Sequence, residues 1–230
     1  MRAWIDYYDS PHTIYANARH RDVHFKHVAS DIVGYVPSSD AIVVDYSCGE
    51  ALYAGMVADA CGKLILAEPA PGVRARIAAL FSGNPKISAV TLEDVAAMPD
   101  GSADLIVMHS VSQYMSAEEI DAALKTFRRL LKPSGTFVLG DVLVPNVSAV
   151  TDVLTLLRFG LADGFLIAAA ASLVRTFFSN YWQLRTSVGL ARYSEAGMLA
   201  KLSAAGFSAV RQPKNIGHNW ARMTFVCRPV

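Results

Sequence analysis

Three acidic residues, Asp45, Glu68 and Asp94, each stand at or just past the end of a short apolar run. Carboxylates at strand ends can bind the polar groups of a ligand laid across a sheet edge. Glu68 comes 23 residues after Asp45 and could accept both hydroxyls of a ribose. Asp94 lies one run further on, where it could take the amino hydrogens of an adenine. Between the first two acids runs Ser47-Cys48-Gly49-Glu50-Ala51, a tight turn of small residues. Such a turn lets the backbone approach a ligand and opens a helix whose free N–H groups face it.

Other candidates carry proton chemistry. His109 follows a fourth apolar run and is the best-placed base; Tyr114 and His20 are the further catalytic candidates. His20, His24 and His27 fall at i, i+4 and i+7, on one helix face. Two histidines at that spacing can bind zinc. With no cysteine or acid motif beside them a polar helix face is the better reading, so no metal is expected. Tyr15, Arg19 and His20 form a donor-rich cluster in the same segment.

The elements that must hold these residues alternate. Residues 41–46, 63–67, 87–91, 103–108 and 136–139 read as buried strands, short and rich in β-branched residues. Helical stretches lie between them, at about 51–60, 71–81 and 116–131, the last opened by the capping box Ser116-Ala117-Glu118-Glu119. A first helix over 11–34 is expected, with Ser10 as N-cap and Pro11 at its first position. Residues 207–210 and 223–227 give two late strands. Alternation of this kind implies an α/β three-layer sandwich with a mostly parallel, seven-stranded sheet. Ligands then bind at the carboxyl ends of the strands.

Residues 147–192 break the rhythm. Val150, Val153, Leu154, Leu157 and Leu161 have helical spacing, residues 165–174 are apolar all round, and Phe177, Phe178, Tyr181 and Trp182 follow. This reads as a helical insertion after strand five, with Gly160 and Gly164 as points where it bends. The whole chain, 1–230, is read as one domain, with 1–36 as an N-terminal helical cover and 147–192 as a cover over the substrate.

Composition limits the function. Of 230 residues 53% are hydrophobic and 18% charged, against roughly 25% charged in soluble domains. With 21 Lys+Arg and 20 Asp+Glu the net charge is +1, too little for a nucleic-acid protein driven by bulk charge. No run reaches the about 18 apolar residues of a membrane span. Three scattered cysteines and an N-terminus unlike a signal peptide point to a cytoplasmic, reduced protein. The apolar insertion could face a greasy substrate, a membrane surface or a second copy of the chain, as in a homodimer.

The motif order resembles the class I S-adenosylmethionine-dependent methyltransferases of the small-molecule subgroup, over about residues 42–142. The resemblance rests on Val43-Val44-Asp45-Tyr46-Ser47-Cys48-Gly49, Leu66-Ala67-Glu68-Pro69 and Leu92-Glu93-Asp94-Val95. Two stretches are the most specific, Pro99-Asp100-Gly101-Ser102-Ala103-Asp104-Leu105-Ile106-Val107 and Leu131-Lys132-Pro133-Ser134-Gly135. It implies S-adenosylmethionine as cofactor, with Asp45, Ser47 and Gly49 cradling its methionine part. Glu68 would hold the ribose, Asp94 and the Val95 backbone the adenine, and His109 would line the transfer site. Arg19 or His20, with Tyr15 nearby, would meet the cofactor carboxylate. The implied reaction is methyl transfer by in-line displacement to a small, lipophilic acceptor. The sequence departs from the family loop Asp-x-Gly-x-Gly-x-Gly: Ser47 and Ala51 replace the outer glycines. A non-catalytic, cofactor-binding or scaffold member of the same fold is the competing reading, and a nicotinamide-dependent oxidoreductase is the weaker one, since two of its fingerprint glycines are missing.

Overall fold

The computed structural model describes residues 3–10, 14–145, 149–177 and 190–230. Seven strands, β1 (Ile42–Tyr46), β2 (Lys63–Ala67), β3 (Ile87–Val90), β4 (Ala103–His109), β5 (Leu131–Val142), β6 (Phe207–Arg211) and β7 (Met223–Pro229), form one sheet. Their order is β3-β2-β1-β4-β5-β7-β6. β1 to β5 pair in parallel, and β7 runs antiparallel between β5 and β6. The strand order reverses between β1 and β4, so the crevice for a ligand opens above those two carboxyl ends.

Side chains alternate across the sheet with period two. Val43, Leu105, Val107 and Val138 face α2 (Ala18–Val33), α3 (Ala54–Ala60) and α4 (Pro71–Leu80), meeting Ile32, Val57 and Ile77. Val44, Ile106, Phe137 and Leu139 face α5 (Leu92–Ala96), α6 (Ala117–Leu130) and the helix before β6, α9 (Glu195–Ala204), meeting Phe127 and Leu202. The expected three-layer sandwich is the one found. Ser116 caps α6 in the expected box, and Ser194 caps α9.

The N-terminus differs from expectation. A short helix, α1 (Ala3–Asp9), precedes the break. α2 starts at Ala18, because Asn17 Oδ1 accepts the His20 N–H at 2.8 Å and takes the capping role expected of Ser10. Pro11 lies outside the described residues.

The insertion forms α7 (Ala149–Ala162) and α8 (Leu166–Phe177), two helices joined by a short turn and packed together beside it. Gly160 is not a bend. It sits inside α7, where a Cβ would come within 3.0 Å of Ala169 Cβ and the Leu166 backbone, so its lack of a side chain lets α8 approach. Gly164 supplies the turn, at φ 79°. Phe159, Phe165 and Ala169 pack on Ala16 and Val23 of the N-terminal segment. Phe178, Tyr181 and Trp182 lie outside the described residues. No helix among the described residues is long and apolar enough to cross a membrane.

Asp104 fixes the amino edge of the sheet. Its Oδ2 accepts the Ile42 N–H at 2.8 Å, and both oxygens accept from Lys132 Nζ at 2.8 Å, so one carboxylate ties β1, β4 and β5. Asp104→Ala should cost about 1–3 kcal/mol, because a charge-assisted bond to a part-buried N–H is lost. Urea denaturation read by circular dichroism checks this.

Candidate functional site

A cavity of about 290 Å³ opens above the β1 and β4 ends. A second, of about 270 Å³, lies toward α5 and α6, lined by Leu92, Glu93, Met115 and Thr126. Trp4, Ser47 and Val111 line both. Trp4 is 8% exposed and stacks on Tyr114, with ring centroids 5.8 Å apart, and its Nε1 is buried without a hydrogen-bond partner. Ser47 Oγ is likewise buried and unpartnered.

The β1 loop keeps a glycine-like backbone without the glycines. Ser47, Gly49 and Ala51 have φ of 59°, 60° and 44°, all left-handed. The side chains at 47 and 51 therefore carry a strain that glycine would not. Glu68 holds this loop. It is 4% exposed, its Oε2 accepts the Gly49 N–H at 2.9 Å, and its Oε1 accepts the Ala70 N–H at 2.8 Å. Burial pushes the Glu68 carboxyl up, while those two N–H groups pull it down. Asp45, next to last in β1, is outside the lining of both cavities. Burial first, and then Glu68, raise its carboxyl to about 7.

His109 lines the main cavity, where Gly140 makes room for it: a Cβ there would meet His109 Cδ2 at 2.9 Å. Its Nε2 lies 3.3 Å from Ile216 O. A carbonyl only accepts, so Nε2 carries the proton and Nδ1 is the acceptor atom. Burial lowers the His109 pKa, against Asp141 and the Ile216 carbonyl, which raise it.

Three more imidazoles line the same cavity: His20, His24 and His218. Their ring centroids are 5.8 Å apart for His24 and His218, 6.1 Å for His20 and His218, and 6.5 Å for His24 and His109. Burial lowers His20 to about 4 and His218 to about 3, so the wall is neutral. The insertion buttresses this wall. Phe159 stacks on His218 at 4.0 Å and Phe165 on His20 at 4.8 Å. Among the described residues no α7 or α8 side chain lines the cavity itself.

Of the expected site residues, Tyr15, His20, Ser47, Gly49, Glu68, His109 and Tyr114 meet in one cavity. Others do not reach it. Arg19 is exposed and donates from Nε to Asp163 O at 3.1 Å, tying α2 to the α7–α8 turn. Asp94 is exposed and closes the α5 capping box, its Oδ2 accepting from Thr91 N and Oγ1 at 2.8 Å. Val95 is fully buried, and its N–H donates to Thr91 O at 3.3 Å. In these positions a helix start, not the cavity, takes the polar groups. The described residues hold no cluster able to bind a metal. Sequence reasoning missed Gln113 and His218 as lining residues. His24 had one signal, its i+4 spacing from His20.

Two variants test the loop. Ala51→Gly should stabilise the chain by up to about 1 kcal/mol, the relief of left-handed strain exceeding the added unfolded-state entropy. Asp45→Asn should stabilise it on the order of 1–3 kcal/mol above pH 7 and much less at pH 4. The sign follows from a folded pKa raised above the unfolded one: stability is lost as pH rises from about 4 to about 7. Thermal melts at the two pH values check both.

Comparisons with known proteins agree with this architecture. Residues 44–139 match the family model described as a methyltransferase domain. Chondramide synthase cmdD of Chondromyces crocatus is 36% identical over 97 residues, 34% of this chain and 2% of that protein. The chain thus spans a small part of the curated relative it matches. Among solved structures, the PH0226 protein from Pyrococcus horikoshii matches with TM-score 0.62 and 13% identity, over 98% of this chain and 99% of that one. A chain of the complex between the Haloferax volcanii Trm112 methyltransferase activator and a methyltransferase matches with TM-score 0.61 and 17% identity, over 91% of each. The DhpI–SAH complex matches with TM-score 0.58 and 13% identity, over 98% of this chain and 94% of that one. At these identities the structures speak for the fold. Motif order, strand order and family model converge on a methyltransferase domain over residues 44–139, set in the fold that these solved structures share.

Proposed function

We propose that this chain transfers a methyl group from S-adenosylmethionine to a small, lipophilic acceptor by in-line displacement, with residues 1–230 working as one unit. The observation that carries the reading is the β1 loop, left-handed at 47, 49 and 51 and held by the buried Glu68 carboxyl. The residues present fit the cofactor. The loop offers a close backbone approach, Glu68 a carboxyl for hydroxyls, and Ser47 Oγ and Trp4 Nε1 two buried groups in need of partners. Asp45, next to last in β1, would favour positive charge there. When bound, the cofactor supplies a methyl group already activated on a sulfonium.

The chain's own residues then have two tasks. The ring-lined cavity excludes water and fixes the acceptor, which is where most of the rate gain lies in a two-partner reaction. His109 Nδ1, free of the bond that holds Nε2, can take the proton that a hydroxyl or amine must lose. The insertion governs the acceptor indirectly, by stacking on His20 and His218. The second reading, cofactor binding without turnover, draws on the non-glycine residues at 47 and 51.

Calorimetry with S-adenosylhomocysteine tests the cofactor half. Binding to the parent and a loss of about tenfold or more in Glu68→Gln are expected, since a buried pair of hydrogen bonds is altered; no binding at about millimolar concentration sinks the proposal. With an acceptor in hand, His109→Gln should lower kcat by roughly 10²–10⁴ with cofactor affinity kept. The parent's acid limb should lie below pH 6.5, because a base with a lowered pKa stays unprotonated further into acid.

A further inference from the structure

One end of the main cavity is built from groups that the cofactor does not explain. The carboxyl ends of β4 and β5 each hold a left-handed residue, Ser110 (φ 59°) just past β4 and Asp141 (φ 60°) next to last in β5, and both line the cavity. Ser110 Oγ donates to Asp141 Oδ2 at 2.7 Å. The Asp141 N–H donates to Asn215 Oδ1 at 3.0 Å, and Thr224 Oγ1 donates to the same oxygen at 2.7 Å. Asn215 Nδ2 donates to Asn219 O at 3.0 Å and stands 3.4 Å from Asp141 Oδ1. Asn215 is 4% exposed and Thr224 fully buried. Strained residues persist only where their surroundings over-determine them, and for Asp141 the buried pair of Asn215 on the β6–β7 loop and Thr224 on β7 does so.

Gln113 stands beside this pair. Its Nε2 donates to Ser110 O at 2.9 Å, which fixes the amide, because a carbonyl cannot donate. Its Oε1 is therefore the free atom. That oxygen is buried without a partner, on a side chain only 6% exposed. A buried oxygen of this kind calls for a ligand that donates a hydrogen bond.

The charges point the same way. Three carboxylates line the cavity, and among its described lining residues there is no lysine or arginine. Arg21 closes Glu50 with two bonds, and Glu68 is held by backbone N–H groups. Asp141, whose oxygens accept from the uncharged Ser110 Oγ and Asn215 Nδ2, shares the lining with neutral imidazoles and the rings of Tyr8, Tyr15 and Tyr114. A carboxylate among aromatic faces suits a cation.

We propose that the Asp141–Gln113 end of the cavity is the subsite for a positively charged, hydrogen-bond-donating group of the methyl acceptor, an ammonium, and that it rejects carboxylate and phosphate. The methylated atom lies elsewhere on the same molecule. This rests on the methyltransferase reading for the cavity's use, but the charge preference can be measured without turnover.

The test uses three probes with one phenol ring: tyramine, which is cationic, tyrosol, which is neutral, and 4-hydroxyphenylacetate, which is anionic. Binding to the full chain is measured by calorimetry, with and without S-adenosylhomocysteine. Tyramine should bind about tenfold or more tighter than 4-hydroxyphenylacetate, with tyrosol between them. Asp141→Asn should weaken tyramine about tenfold and tyrosol by less than about threefold. Asparagine tolerates the left-handed backbone, so that variant keeps the local fold. Equal binding of the three probes, binding of none, or an unchanged order in Asp141→Asn overturns the proposal. Displacement of tyramine by S-adenosylhomocysteine also overturns it, because the carboxylate then serves the cofactor's ammonium. If S-adenosylhomocysteine fails to bind while the tyramine preference holds, the methyltransferase reading fails and the cation subsite stands.

Discussion

The site depends on one backbone constraint: where the strands end above the crevice, the chain must turn through left-handed conformations. Ser47, Gly49 and Ala51 do this after β1, Ser110 after β4 and Asp141 next to the last residue of β5. Only one of the five is glycine. Each of the others costs on the order of 1–2 kcal/mol, so neighbouring contacts must hold them in place. Glu68 does this for the first turn, and Asn215 with Thr224 for the last. Turns so held bring side chains from β1, β4 and β5 to one wall, which a gentler reversal would have spread apart.

The outer layers serve that wall. α1 brings Trp4 and Tyr8 to the cavity and α2 brings His20 and His24, with Tyr15 joining them from just ahead of α2. The α7–α8 pair packs behind them, and its phenylalanines hold two of the imidazoles by stacking. The arrangement explains where part of the chain's excess apolarity goes: Phe159, Phe165 and Ala169 are buried against the N-terminal segment. Other residues of the pair, such as Leu161 and Ile167, face solvent at 70% and 87% exposure.

Much of the fold was legible because it is local. A buried parallel strand is a short β-branched run, and β1, β2, β3 and β4 all read that way. Capping boxes are written in four residues, so the start of α6 was plain at Ser116. The start of α2 was misplaced because Ser10-Pro11 and Asn17 offer competing caps, and packing decides between them. Arg19 and Asp94 had the right types and spacing, yet a helix turn and a capping box took their polar atoms. Polar side chains go to the nearest unsatisfied backbone group, and sequence spacing does not reveal which that will be.

The sequence by itself determined the sheet, the β1 loop and the strand-end positions of Glu68 and His109, since each follows from periodicity or from a place at the end of an apolar run. Only the tertiary structure decided that His218 and Gln113 join the strand-end residues in the main cavity. The Ile216 carbonyl reaches His109 across 107 residues, and Asn215 reaches Asp141 across 74. These contacts arise because β7 runs antiparallel beside β5 and brings the β6–β7 loop back over the carboxyl edge. Long-range pairing of that kind is set by how layers pack, and no local pattern in the chain encodes it.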